Sequence, residues 1–104
     1  MKDRVIILEA NDTLHVKING DIDHHSSTEL RSQIDSRLFS VRPKFLILDF
    51  ESVRFMDSSG IGLIMGRVEK ARMEGAEVRL VGLSKSIRKL VLLSGLNKID
   101  GLRI

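Results

Sequence analysis

Phe45-Leu46-Ile47-Leu48-Asp49-Phe50, the connection Glu51–Asp57, and then Ser58-Ser59-Gly60-Ile61-Gly62 form the most informative stretch of the chain. The first six residues are almost continuously apolar. Such a run predicts a strand covered on both faces, as in a parallel sheet lying between helices. Past the connection the apolar period changes from a strand's to a helix's. Ile61, Ile64, Val68 and Ala71 fall on one side of a helix that Gly75 closes. A buried strand therefore delivers the chain to a helix N-terminus at Asp57-Ser58-Ser59.

On the N-terminal side, Val5–Leu8 is a β-branched, apolar run that reads as a strand. Thr13–Ile18 alternates, with Leu14, Val16 and Ile18 set against Thr13, His15 and Lys17, and predicts a half-buried strand. Asn11-Asp12 is a turn signal between them, so the two should form a hairpin. Gly20-Asp21 ends the second strand. Ser26 with Glu29 fits a capping box, and Leu30, Ile34 and Leu38 share the face of the helix that follows. Arg42-Pro43 stops that helix, because the residue before proline avoids the helical region. On the C-terminal side, Glu77–Val81 is another strand. Ser84 caps a third helix with Ile87, Leu90 and Val91 inward, ending near Gly95. Asn97–Ile104 leaves room for one last short strand.

The order β-β-α-β-α-β-α-(β) predicts an α/β fold, a single domain over residues 1–104. It should hold a mixed, largely parallel sheet of four to five strands with about three helices, joined by right-handed crossovers. The composition agrees: 104 residues, 42% hydrophobic and 30% charged, is that of a folded domain and not of a disordered chain. There is no cysteine, which excludes disulfides and zinc–thiolate sites and fits a reducing compartment. No apolar run approaches the ~20 residues of a membrane span, and Val5–Leu8 is too short for a signal peptide. A cytoplasmic protein with no membrane partner is expected. The net charge of +3 is mild and both signs are dispersed. With no Trp or Tyr, and with Phe39, Phe45, Phe50 and Phe55 in or near apolar runs, no nucleic-acid partner is expected either.

Chemistry concentrates at Asp57-Ser58-Ser59-Gly60. A helix N-terminus offers free backbone N–H groups and the positive end of a dipole, so a phosphate carried by a serine there finds donors ready. It would also add about −1.5 to −2 charge beside Asp57. The same residues make an ordinary N-cap, and the two roles are compatible. A nucleophile elbow is excluded because Met56, not glycine, stands two residues before Ser58, and because His15, His24 and His25 all precede the serine. Gly60, Gly62 and Gly66 imitate a dinucleotide fingerprint, but the strand ends well before them. Gly62 and Gly66 stand four apart on a helix, so close helix packing is their expected role. His24-His25 reads as a pair of turn histidines with no third metal ligand in view. Asp21 and Asp23 could face a partner's basic groups or simply form the turn.

Gly20-Asp21-Ile22-Asp23-His24-His25, Phe55-Met56-Asp57-Ser58-Ser59-Gly60-Ile61-Gly62 and Ser94-Gly95-Leu96 together resemble the STAS-domain family of anti-sigma-factor antagonists, most closely its sporulation sigma-F branch. The resemblance covers almost the whole chain. It implies a non-enzymatic, cofactor-free regulator of transcription. The unphosphorylated protein would bind an anti-sigma factor that is also a serine kinase, releasing the sigma factor. The kinase would then use ATP to phosphorylate Ser58 and let go, and a PP2C-type serine phosphatase would reset the switch. By the same resemblance Asp23 would lie near basic residues of the partner. Asp57, Ser59, Ile61 and Gly62 would share the docking surface with Ser58. Family members also carry a helix after the last strand. The chain's end at Ile104 is expected to leave apolar surface bare or available to a partner. The alternative is a STAS docking module of another system, such as a stress-signalling complex or a lipid-transport assembly.

Overall fold

The computed structural model describes residues 4–104. Strand β1 (Val5–Ala10) and strand β2 (Thr13–Asn19) form the expected hairpin, antiparallel from Val5 opposite Ile18 to Ala10 opposite Thr13. Asn11 makes the turn in the left-handed region, φ +50°, which asparagine enters more readily than most residues. The alternation of β2 holds throughout: Leu14, Val16 and Ile18 are wholly buried, while Thr13, His15 and Lys17 are half-buried on the other face.

Helix α1 (His24–Val41) follows, then β3 (Phe45–Ser52), α2 (Ser58–Met73), β4 (Glu77–Val81), α3 (Lys85–Leu93), a 3-10 turn at Leu96–Lys98 and β5 (Leu102–Arg103). The sheet runs β1-β2-β3-β4-β5, parallel at every pairing after the first. From β2 onward each crossover steps one strand in the same direction. Right-handed crossovers that keep stepping one way deliver all their helices to one face of the sheet. The buried residues accordingly form one cluster. The inward positions of the strands (Leu14, Val16, Ile18, Leu46, Leu48, Phe50, Val78, Leu80) meet Leu30, Ile34 and Leu38 of α1, Leu63, Ile64 and Val68 of α2, and Ile87 and Val91 of α3. Leu90 packs only partly against this cluster.

Two expectations need correction here. β3 is covered by helices on one face only. Phe45, Ile47 and Asp49 point to the other face, where Arg79 stacks on the Phe45 ring at 4.5 Å and His15 Nε2 meets Asp49 Oδ2 at 3.0 Å. Long polar side chains on β2 and β4 shelter these residues in place of a helix, so an apolar run arose without a second helical layer. The second correction concerns α1. It begins two residues before Ser26, and His24 and His25 lie exposed in its first turn, not in a loop. At its far end Arg42 takes the left-handed conformation, φ +53°, and its N–H caps Leu38 O. Gly75 follows α2 at φ +77°, as a helix-ending glycine should.

An ion pair absent from the sequence reading joins the two long helices. Arg67 of α2 occupies the inward stripe that also holds Leu63, Ile64, Val68 and Ala71. Its side chain is 3% exposed, and Nε lies 2.6 Å from Oδ1 of Asp35 on α1. Burial pulls the guanidinium's pKa down, and the Asp35 carboxylate opposes that pull. The signal in the sequence was an arginine at a position where the helical period demands an apolar residue.

Candidate functional site

Both long helices begin at the same end of the sheet, and main-chain bonds fasten their starts together. After β2 the chain makes one parallel bridge, Ile22 with Met56. The Ile22 N–H donates to Phe55 O at 3.0 Å, and the Asp57 N–H donates to Ile22 O at 3.1 Å. The bridge sets Asp23 and Asp57, each one residue further on, at neighbouring helix starts. Ile22 is wholly buried and Met56 nearly so, which anchors both loops in the core.

Each aspartate caps its helix. Asp23 Oδ1 accepts the Ser26 N–H at 2.8 Å, and the Asp23 N–H donates to Ser26 Oγ at 3.0 Å. This reciprocal pair is the capping box, so the box is Asp23–Ser26 and not the expected Ser26–Glu29. Serine here fills the third-position role that glutamate usually takes. Asp57 Oδ1 accepts the Ser59 N–H at 2.8 Å. Capping therefore falls to Asp57, which leaves Ser58 exposed as the first residue of α2 and Ser59 half-buried.

Gly60 is the tight glycine of this turn. A Cβ added to it would lie 2.2 Å from Met56 Cγ and 2.3 Å from Sδ. At Gly62 and Gly66 an added Cβ meets nothing within 4 Å, so the expected close helix packing at those two positions does not occur. They fall off the inward stripe of α2, which runs through Gly60, Leu63, Ile64 and Arg67. Gly60→Ala is expected to destabilise the protein by roughly 1–3 kcal/mol by overpacking Met56. Gly62→Ala should be neutral or mildly stabilising. Urea midpoints of the two variants check both, and equal midpoints would contradict the packing argument.

The surface around Ser58 is mixed. Exposed Asp23 and His24 stand at the start of α1. Phe55, 54% exposed, precedes the cap of α2, and half-buried Ile61, exposed Gly62 and Met65, 49% exposed, continue along that helix. Between the two helix starts lies a groove of about 300 Å³ lined by His24, Ser27, Thr28, Arg31, Ser59 and Gly62, with Leu63 at its side. Of the residues singled out from the sequence, Asp23, Asp57, Ser58, Ser59, Ile61 and Gly62 thus gather at one end of the molecule. Phe55 and Met65 were missed. Their exposure depends on which way a loop and a helix turn, which apolar character alone does not disclose. Among the described residues no group of three or more His, Cys, Asp or Glu stands close enough to hold a metal ion, and no helix is long and apolar enough to cross a membrane.

The cap of α1 is an acid-sensitive element. The Ser26 N–H above all holds the Asp23 carboxyl below its ordinary value; desolvation opposes it, and the Ser26 hydroxyl and His25 add to the lowering. A carboxyl with a lowered folded pKa contributes stability above its unfolded pKa and loses it as pH falls through the folded one. The Ser26 amide resonance should therefore titrate with a midpoint below the ordinary 3.8 of an aspartate. Asp23→Asn should abolish that titration, and a Ser26 amide that ignores acid in the unaltered protein would refute the cap. Asp49 shifts the same way. Burial raises its carboxyl, but the Glu51 N–H and His15 bonds and the Lys17 charge together outweigh it.

Comparison with known proteins places the chain in a family. The STAS domain family matches residues 4–103. The anti-sigma F factor antagonist of Paenibacillus polymyxa is 34% identical over 86 residues, 83% of this chain and 74% of that protein. The anti-sigma-B factor antagonist of Listeria monocytogenes is 28% identical over 97 residues, 90% of this chain and 83% of that one. The structure of the anti-sigma factor antagonist SpoIIAA in its unphosphorylated form matches at a TM-score of 0.72 and 25% identity, covering 96% of this chain and 86% of that chain. The Bacillus cell fate determinant SpoIIAA in its phosphorylated form matches at 0.72 and 27%, covering 96% and 90%. With a family match over nearly its whole length, the same fold, and a relative above 30% identity, this chain belongs to the STAS-domain family and stands among its anti-sigma-factor antagonists.

Proposed function

We propose that the chain is an anti-sigma-factor antagonist switched by phosphorylation of Ser58. Its unphosphorylated form binds an anti-sigma factor that is also a serine kinase, and the sigma factor is released. The observation that carries the reading is the position of Ser58: exposed, first in α2, with Asp57 alone doing the capping. A kinase can reach the hydroxyl without unwinding the helix. Ser58 Oγ forms the new O–P bond as the bond from the γ-phosphorus to ADP breaks, and the hydroxyl proton passes to a base of the kinase. This chain supplies the acceptor, and the catalysis and the nucleotide belong to the partner. A PP2C-type serine phosphatase returns the hydroxyl. Asp23, Asp57, Ser59, Ile61 and Gly62, lying around the acceptor, form the docking surface. The names of the relatives support the antagonist role, and SpoIIAA's existence in phosphorylated and unphosphorylated forms supports the switch.

The test is intact mass after incubation with the anti-sigma kinase and ATP. One added phosphate on the unaltered protein and none on Ser58→Ala is the expected result. A phosphate that persists on Ser58→Ala would move the acceptor elsewhere. No phosphate at all, from a kinase active on another substrate, would favour a STAS module of a stress-signalling or lipid-transport system that works by docking alone.

A further inference from the structure

The loop that carries Asp23 is held from two sides. The bridge between Ile22 and Met56 is one. The other is Arg4, at the foot of β1, whose guanidinium Nη2 donates to the Asp21 carbonyl. That carbonyl also accepts from Ser26 Oγ at 3.1 Å, and Ser26 Oγ in turn receives the Asp23 N–H. A chain of hydrogen bonds thus leads from Arg4 through the Asp21 carbonyl and Ser26 Oγ to the Asp23 N–H, and the Ser26 N–H in turn donates to the Asp23 carboxylate. Gly20 makes room for it. At φ +88°, its missing Cβ would lie 2.4 Å from Arg4 Nη1. The backbone of Arg4 is held as well, its carbonyl accepting the Asn19 N–H at 2.7 Å. Arg4 is half-buried and 19 positions before Asp23, so sequence spacing gives no hint of the contact.

We infer that Arg4 is a positioning residue for the docking surface, fixing the Asp21–Asp23 limb so that the Asp23 carboxylate stands ready beside Ser58. This rests on the antagonist reading of that surface. The bond is charge-assisted and made to a main-chain oxygen, so it sets backbone direction and not merely side-chain packing. Met at this position would keep the apolar stem and lose every donor. Lys would keep the charge and one route to the carbonyl.

The experiment has two readouts on Arg4→Met and Arg4→Lys. The first is amide hydrogen exchange in the isolated protein. Faster exchange at Asp23 and Ser26 in Arg4→Met, with the amides of Val16 and Leu48 unchanged, is expected. Lys should restore part of the protection. The second is affinity for the anti-sigma factor, expected to fall about tenfold in Arg4→Met, the size of one charge-assisted hydrogen bond lost. Gly20→Ala should reproduce the local exchange change, and combining it with Arg4→Met should add little. Unchanged exchange at Asp23 and Ser26 would overturn the inference. So would loosened exchange with unaltered affinity, since Arg4 would then order a loop the partner does not read. Failure of the unaltered protein to bind any anti-sigma kinase would instead remove the antagonist reading, and the exchange data would still decide what Arg4 holds.

Discussion

Phosphorylated on Ser58, the protein is expected to bind its anti-sigma factor more than a hundredfold more weakly than the unmodified form. Two effects oppose each other at this position. Within the free protein the phosphate sits at the N-terminus of α2, where the helix dipole and free N–H groups favour an anion by roughly 0.3–1 kcal/mol. Modification should therefore leave folding stability nearly unchanged. In the complex the same dianion must be desolvated next to Asp57 and near Asp23, and an unpaired buried charge costs several kcal/mol. Desolvation outweighs the dipole, and a net loss of ~3 kcal/mol is already more than a hundredfold in affinity. Ser58→Ala should bind as tightly as the unmodified protein and stay bound in the presence of ATP. Ser58→Asp should weaken binding less than phosphate does, having half the charge and fewer oxygens. Titration calorimetry on the three forms checks this. Equal affinity of the phosphorylated and unmodified forms would end the repulsion argument.

Asp35→Ala is expected to destabilise the fold by about 3 kcal/mol, the low end of the range for breaking a buried pair. Arg67 is 3% exposed and its partner carboxylate is 27% exposed, so water reaches one side of the pair and softens the loss. What remains is a guanidinium held inside the α1–α2 contact, with a weak 3.4 Å hydrogen bond from Nη1 to Leu63 O. For a domain of this size 1 kcal/mol moves the melting temperature by roughly 4–8 °C, so a fall of more than 10 °C is expected. Removing both charges, Asp35→Ala with Arg67→Met, should recover most of the loss, because an apolar pair in the same space pays no desolvation. Urea unfolding of the single and double variants measures it, and Asp35→Ala within 1 kcal/mol of the unaltered protein would show the pair to be inert.

What could be read from the sequence divides along a physical line. The hairpin, the alternation of β2, the inward faces of the three helices and the parallel order after β2 all follow from period and turn chemistry, and each is present. So is the gathering of Asp23 with Asp57 and Ser58, which the family resemblance supplied and spacing alone did not. Other features were misread or missed. The second face of β3 was given a helix because Phe45 and Ile47 are apolar. Pattern does not distinguish cover by a helix from cover by the arginine and histidine side chains of adjacent strands. The start of α1 was set at Ser26 because Glu29 completes a familiar box, when Asp23 and Ser26 complete another. The Asp35–Arg67 pair and the reach of Arg4 to Asp21 depend on side chains meeting across elements, which no one-dimensional period records.

The bridge between Ile22 and Met56 makes the two caps one rigid body, and it is built from main-chain groups. Amide and carbonyl are the same in every residue but proline, so the bonds of this joint are indifferent to the exposed side chains beside it. The exposed residues on either side of it, His24, Phe55, Ser58 and Met65, can therefore be exchanged without moving the frame that presents them. A duplicated copy of such a protein could acquire its own partner by surface substitutions alone. Several signalling pairs could then operate in one cell on the same scaffold, each insulated from the others by chemistry and not by shape.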